Sequence, residues 1–156
     1  MSIVERTMGV APIGLIPLVM RRNRVSNRTF EDAVAFVLAR VTMPSKGVVP
    51  RSLLVTSALP QEGKTKTSIA LAAAATARGM KVLLVDGDLR SRSLSSAAGL
   101  DRSDRTLIEL LRREIIIEDA IHYNAAWGFP VLPAGALAIS PMGLLATGEW
   151  EAILRK

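Results

Sequence analysis

The chain has 156 residues, of which 49% are hydrophobic and 22% are charged, and its formal net charge at pH 7 is +6. This balance is typical of one globular domain and excludes wholesale disorder. The chain has no cysteine, which excludes disulfides and thiolate metal sites and fits a reducing, cytoplasmic compartment.

Residues 1–28 mix proline, glycine and arginine without a sustained period, and are predicted to form a basic lead-in to a domain spanning residues 29–156. The apolar stretch 8–20 contains two prolines and is shorter than the roughly 20 residues of a membrane-spanning helix, so no such helix is expected. The basic cluster follows this stretch, which is not the order of a secretory signal. Its arginines suit an anionic membrane surface or a solvated linker. Nucleic acid is not an expected partner, since no aromatic residues are interleaved with them.

Helix and strand patterns alternate from residue 30 onward. Apolar residues on one face predict a helix over 30–41, after a cap at Asn27 or Thr29. The run 53–57 predicts a buried parallel strand, and the alanine-rich stretch 65–78 predicts a helix ended by a glycine. Residues 81–85 predict a second buried strand, which completes a right-handed βαβ unit.

The remaining patterns are shorter. They predict helices over 107–113 and 115–122, a strand over 130–133, and a last helix that Ser140 caps and that runs through Leu154. Alternating helices and strands of this kind indicate an α/β fold.

The loop between the first strand and its helix reads Ala-Leu-Pro-Gln-Glu-Gly-Lys-Thr over residues 58–65. A phosphate chain needs backbone N–H groups, a helix N-terminus and a cation. Gly63 permits close backbone approach, Lys64 supplies the charge, and Thr65 offers a hydroxyl to Mg²⁺. The alternative is an ordinary polar turn with a surface lysine. The residues predicted to bind nucleotide in this loop are Pro60, Gln61, Glu62, Gly63, Lys64, Thr65 and Lys66.

Asp86 and Asp88 follow the second strand at its carboxyl end, where ligands bind in open α/β sheets. Alternate residues of an extended strand point the same way, so both carboxylates can approach one metal ion. Taken alone, Asp-Gly-Asp is more often an ordinary turn. A phosphate loop on the neighbouring strand favours the metal site.

Together these segments resemble the bacterial protein tyrosine kinases (BY-kinases) of the polysaccharide chain-length regulator type, relatives of the septum-positioning and plasmid-partition ATPases. Residues 57–65 look like that family's first nucleotide motif, and residues 83–90 (Leu-Leu-Val-Asp-Gly-Asp-Leu-Arg) look like its second aspartate motif. Residues 14–17 are similar to the segment after the membrane anchor. Residues 131–135 and 140–145 resemble the stretch before the third motif.

The resemblance implies a P-loop NTPase-type parallel sheet with helices on both faces, with ATP or ADP and Mg²⁺ as cofactors. It also implies phosphoryl transfer from ATP to tyrosine, in the regulation of exopolysaccharide or capsule polymerisation and export. The chain would act at the inner face of the plasma membrane, beside a membrane-anchored polysaccharide co-polymerase subunit.

The same resemblance implies roles for individual residues. Lys64 would bind the β- and γ-phosphates, and Thr65 would ligate Mg²⁺. Asp86 and Asp88 would organise the metal and help to activate the acceptor hydroxyl, and Arg90 would support the nucleotide site. The implied catalytic residues are therefore Lys64, Asp86 and Asp88, and the implied metal ligands are Thr65, Asp86 and Asp88.

The sequence departs from the family pattern at four points. The third motif is expected soon after Leu154, so we expect a domain that is incomplete at its C-terminus, with reduced catalysis and stability. The C-terminal tyrosine cluster is absent, and the only tyrosine is Tyr123. A lysine at position 66 replaces a usual hydroxyl residue. The family's subunit-contact glutamate and two arginines align with Asp32, Ala35 and Leu38, so ring assembly is not expected.

Two other functions stay open. One is an ATPase switch of the partition or septum type, and the other is a catalytically inactive fragment that only binds nucleotide. The switch class carries a lysine at the position of Leu59, so this leucine favours the kinase branch. His122, Trp127 and Trp150 are expected to be structural.

Overall fold

The computed structural model describes residues 6–7, 9–17, 24–43, 50–100, 103–135 and 149–154. These belong to two units, Met1–Ser57 and Ala58–Lys156. The described helices and strands are, in chain order, α1 (Arg24–Thr42), α2 (Lys64–Thr76), β1 (Leu84–Val85), α3 (Ser93–Ala98), α4 (Leu107–Leu111), α5 (Ile117–Ala120), β2 (His122–Asn124), β3 (Phe129–Leu132) and α6 (Glu149–Leu154).

Helix α1 dominates the first unit. It begins at Arg24, earlier than the predicted start, so Asn27 and Thr29 lie inside the helix instead of capping it. Val34 and Leu38, one turn apart, are 1% and 5% exposed, which confirms the predicted apolar face. Residues 9–17 contain no helix or strand, and a Cβ placed on Gly14 would come within 3.0 Å of Val37. The segment therefore passes very close to α1.

The prediction of a buried strand over residues 53–57 is wrong. In the described part of the chain this run joins no sheet, and Leu53 and Leu54 are 51% and 86% exposed. Apolar composition favours a strand, but a strand forms only where a partner supplies its ladder hydrogen bonds.

Helix α2 is the first described helix of the second unit, and it corresponds to the alanine-rich helix predicted over 65–78. It ends at Thr76, where the N–H of Gly79 bonds to Thr76 O at 2.9 Å and that of Met80 bonds to Ala75 O at 3.1 Å. Gly79 has a φ of 77°. This is the Schellman arrangement, so the predicted role of the glycine is confirmed.

The described sheet has three strands in the order β1-β3-β2. Strand β1 pairs in parallel with β3, with Leu84 opposite Val131, whereas the first strand of the predicted βαβ unit is not formed in the described residues. Strand β2 pairs antiparallel with β3, with His122 opposite Val131, so an antiparallel strand adjoins the expected parallel pairing and the described sheet is mixed. Strand β1 is also shorter than the predicted 81–85.

The β2–β3 hairpin corrects the helix predicted over 115–122. Helix α5 stops at Ala120, and residues 125–128 form the turn between the two strands. Two hydrogen bonds from the Trp127 N–H and one from the Gly128 N–H to Asn124 fix this turn. Gly128 has a φ of 79°, a conformation that costs glycine little, so the chain folds back here and does not continue as a helix.

Helices cover both faces of the sheet, as predicted. Leu84, Phe129 and Val131 lie in one apolar cluster with Ala72 of α2 and Leu94 of α3. The alternate residues Val85 and Leu132 lie in a second cluster with α4 and with Trp150 of α6, which confirms that this tryptophan is a packing residue. The buried residues of this second cluster are Leu89, Leu107, Ile108, Leu110, Leu111, Ala120, Leu132 and Ala134.

Two further predictions meet the structure only in part. Helix α4 begins after Thr106, the N-cap, whose hydroxyl accepts from the Ile108 N–H at 3.3 Å and donates to the Glu109 carboxylate. The predicted cap of the last helix, Ser140, lies outside the described residues. Among the described helices, none has the length and apolar character needed to cross a bilayer.

Candidate functional site: the phosphate loop and the aspartates after strand β1

The N-terminus of α2 has the form of an anion site. Gly63 precedes the helix with a φ of 90°, makes no side-chain cap, and the first turn contains no acidic residue. A Cβ placed on Gly63 would meet nothing within 4 Å. The helix start thus leaves room beside its backbone, and its dipole favours negative charge there.

The loop before the helix is exposed and tightly turned. The Leu59 N–H donates to Glu62 Oε2 at 2.9 Å, which closes the turn over Pro60 and Gln61. Gln61 has a φ of 64°, an uncommon conformation for a residue other than glycine. Lys66, on the exposed side of the first helical turn, completes the predicted set. Their contact with nucleotide stays a prediction.

Asp86 lies at the carboxyl end of β1 but faces the protein interior. Its side chain is 3% exposed, and its N–H extends the ladder by bonding to Leu132 O at 2.9 Å. Oδ1 accepts from the Asp88 N–H at 3.1 Å. Oδ2 accepts from the Ser95 N–H at 3.2 Å and from the Ser95 hydroxyl at 3.1 Å. Burial raises the pKa of Asp86, and these hydrogen bonds oppose the rise.

Asp88 has the opposite environment. Its Oδ2 accepts from the Ser91 hydroxyl at 2.6 Å, and its Oδ1 accepts from the N–H groups of Arg90 and Ser91 at 3.2 and 3.1 Å. The Ser91 hydroxyl bond is the main reason that the pKa of Asp88 is lowered, and the positive charge of Lys64 acts in the same direction. Asp88 is therefore a carboxylate at neutral pH, within the field of the loop lysine.

A second contact joins the loop helix to the aspartate segment. Thr65 Oγ1 lies 2.8 Å from Ser93 Oγ, at the first residue of α3. The structure thus brings Lys64, Thr65 and Asp88 together on one side. Asp86 is buried and accepts hydrogen bonds from Asp88, in the turn after β1, and from Ser95 of helix α3. Its role as a metal ligand stays a prediction. The Arg90 backbone supports Asp88, and a side-chain role for Arg90 also stays a prediction.

Three serines of the site were missed by sequence reasoning. Ser91 bonds to Asp88, Ser93 lies against Thr65, and Ser95 bonds to Asp86. Helix α3, which carries two of them, is short and has no apolar period to reveal it. The available signal was a concentration of serines directly after a strand end, where side chains gather around ligands.

The donors present fit Mg²⁺ with a phosphate chain. Mg²⁺ prefers oxygen ligands and is usually held by one or two protein groups together with nucleotide phosphates. Thr65 offers a hydroxyl oxygen, Asp88 an ionised carboxylate, and Lys64 a positive charge for the phosphates. Within the described residues no three acidic or histidine side chains form a metal cluster, so a cation held by Thr65 and Asp88 would need phosphate oxygens as further ligands.

The family model AAA_31, described as an AAA domain, matches residues 62–156. The chain belongs to this family. An AAA_31 domain is a P-loop module, so nucleotide is the class of ligand that this site binds. The match includes Gly63, Lys64 and both aspartates.

Relatives and solved structures agree with this assignment. Tyrosine-protein kinase YwqD of Bacillus subtilis is 33% identical over 100 residues, 64% of this chain and 41% of that protein. Maintenance of carboxysome distribution protein A of Synechococcus elongatus is 35% identical over 95 residues, 60% of this chain and 37% of that protein. The solved kinase domain of Escherichia coli tyrosine kinase ETK has a TM-score of 0.83 at 23% identity, over 96% of this chain and 66% of that chain.

The solved kinase domain establishes the fold of this AAA_31 domain as the α/β fold of BY-kinase domains. The chain spans less than half the length of the two curated relatives described above.

Proposed function

We propose that this chain is the nucleotide-binding module of a bacterial tyrosine autokinase, which transfers a phosphoryl group from ATP to tyrosine with Mg²⁺. The observation that carries the proposal is the placement of Lys64, Thr65 and Asp88 on one side of the second unit. Phosphoryl transfer depends mainly on positioning and charge neutralisation, which these groups can supply.

Each residue of this group has a specific task in the proposal. The α2 N-terminus and Lys64 hold the phosphates, and Thr65 and Asp88 hold Mg²⁺, which neutralises phosphate charge when it is bound. Asp88, ionised and fixed by Ser91, orients the group that approaches the phosphate. We further propose that the module acts in exopolysaccharide or capsule export, at the inner face of the plasma membrane with a membrane-anchored partner.

A titration with fluorescent ADP tests the binding step. The full chain should bind ADP, and Lys64→Ala should weaken binding at least tenfold, because a charge-assisted contact to phosphate is worth about 1.5–3 kcal/mol. Lys81→Ala is the matched control, since Lys81 is exposed at the opposite end of the β1 segment. Equal affinities of wild type and K64A would refute the nucleotide site.

Phosphoryl transfer needs a separate measurement. The chain is incubated with ATP, Mg²⁺ and a tyrosine peptide, and phosphotyrosine is measured by mass spectrometry. Wild type should phosphorylate the peptide and Asp88→Asn should not. Binding of nucleotide without any transfer would refute the kinase and leave a nucleotide-binding module.

One comparison favours a second candidate, an ATPase switch of the partition type. The carboxysome distribution protein matches over 95 residues at an identity similar to that of the kinase. A switch would hydrolyse ATP to ADP and inorganic phosphate without modifying the peptide. Release of phosphate, measured beside the peptide assay, separates the two functions.

A further inference from the structure

Three serine and threonine hydroxyls form a continuous chain that ends on Asp88. Thr65 Oγ1 lies 2.8 Å from Ser93 Oγ, Ser93 Oγ lies 3.3 Å from Ser91 Oγ, and Ser91 Oγ lies 2.6 Å from Asp88 Oδ2. These hydrogen-bonded hydroxyls connect the first turn of α2 with the turn after β1, and Thr65 and Ser93 are 28 positions apart in the sequence.

The number of protons available limits the direction of the hydrogen bonds among these hydroxyls. An ionised carboxylate only accepts, and each hydroxyl has one proton to donate. The Ser91 proton therefore goes to Asp88 in the 2.6 Å contact. Ser91 Oγ also lies 3.3 Å from Ser93 Oγ, a longer and secondary contact in which Ser93 is on the acceptor side. Thr65 and Ser93 share one hydrogen bond in which either hydroxyl can donate, and Thr65 must be the donor when its lone pairs face a cation.

With Thr65 as the donor, its proton points at Ser93 Oγ and both lone pairs of its oxygen stay available. A hydroxyl that ligates a cation must turn its lone pairs, not its proton, toward the ion. An isolated threonine hydroxyl rotates among several orientations, most of which direct the proton elsewhere. Fixing one rotor in advance removes part of the entropy cost of binding.

We propose that Ser93, supported by Ser91, is a positioning residue that orients the Thr65 hydroxyl for Mg²⁺. This inference rests on the proposed function, in which Thr65 is a metal ligand. Neither serine has to touch nucleotide. Ser93 acts through Thr65, and Ser91 links it to the negative charge of Asp88.

The test measures the Mg²⁺ enhancement of ADP affinity, defined as the Kd for fluorescent ADP in EDTA divided by the Kd in Mg²⁺. Ser93→Ala should lower this ratio about fivefold, since one oriented hydrogen bond is worth about 1 kcal/mol. The Kd in EDTA should stay unchanged, because the phosphate contacts are intact. Ser93→Thr restores the hydroxyl and should restore the ratio.

Two further variants separate positioning from general effects. Ser96→Ala, an exposed serine of the same helix, should keep the wild-type ratio. In a Thr65→Val background, Ser93→Ala should cause no additional loss, because the hydroxyl that it orients is gone. Thermal unfolding of each variant checks that the fold is intact.

Several results would overturn the inference. The inference fails if the Mg²⁺ enhancement of wild type is near one, or if Ser93→Ala leaves this enhancement unchanged. It also fails if Ser93→Ala lowers the enhancement as much in the Thr65→Val background as in wild type. If ADP binding is lost in K64A while S93A matches wild type, the proposed function stands and only the role of Ser93 fails. If wild type binds no ADP, the proposed function fails first.

Discussion

Replacement of Ser95 by alanine removes the hydroxyl that joins helix α3 to two strand ends. The Ser95 side chain is fully buried, donates to Asp86 Oδ2 at 3.1 Å, and accepts from the Ala134 N–H at 3.3 Å. Ala134 is equally buried, so its N–H would lose its partner without gaining water.

The expected cost follows from these two bonds. A hydrogen bond to a charged group is worth about 1.5–3 kcal/mol, and a buried N–H left without a partner costs about 1–3 kcal/mol. Asp86 keeps two N–H donors, from Asp88 and Ser95, and alanine gains up to about 0.5 kcal/mol in helix propensity. We therefore expect Ser95→Ala to lower the free energy of unfolding by about 2–3 kcal/mol.

Urea unfolding followed by far-UV circular dichroism measures this loss. With a slope near 1.5 kcal/mol per molar urea, the midpoint should fall by about 1.5 M. Ser96→Ala, the exposed neighbour on the same helix, should change stability by no more than about 0.5 kcal/mol. If S95A unfolds at the same urea concentration as S96A, the Ser95 bonds do not hold this region together.

Three other outcomes follow from the structure. Burial raises the folded-state pKa of Asp86, so the free energy of unfolding falls as pH rises from about 4 through that pKa. Urea titrations of wild type and Asp86→Asn measure this effect. The stability of wild type relative to the variant should decline over this pH range. Gly135 has a φ of 87°, and a Cβ there would collide with the Thr106 hydroxyl, so Gly135→Ala should lower the free energy of unfolding by about 3 kcal/mol. Gly128 has open space around it, so Gly128→Ala should cost only about 1–2 kcal/mol in the same titration. Equal costs would contradict the collision. Leu107→Ala, at a fully buried position, should cost about 2–5 kcal/mol by thermal unfolding, and a wild-type midpoint would contradict this.

The parts of the fold that the sequence predicted are those with local causes. A glycine, a lysine and a hydroxyl before an alanine-rich run identify the loop and α2, because cap and helix depend on residues close in sequence. Gly79 ends that helix for the same reason. The strand segments 81–85 and 130–133 were also predicted as elements, because their apolar runs are local signals.

The parts that were missed depend on distant contacts. Residues 53–57 have strand composition, yet pairing depends on a partner elsewhere in the chain. Strand β2 contains His122 and Asn124 and has no apolar alternation, so only its pairing with β3 makes it a strand. At the site, sequence placed Asp86 and Asp88 side by side, but Ser95 determines that Asp86 faces inward.

The strand order β1-β3-β2 has a consequence for how the fold forms. Strands β2 and β3 are joined by a four-residue turn, residues 125–128, whereas β1 reaches β3 only after a long intervening segment. Closing the longer loop costs more entropy, so the hairpin can form quickly and β1 joins later. Asp86 and Asp88 arrive with β1. The ligand site therefore belongs to the late, long-range stage of folding, and a bound nucleotide would stabilise the chain chiefly by slowing its unfolding.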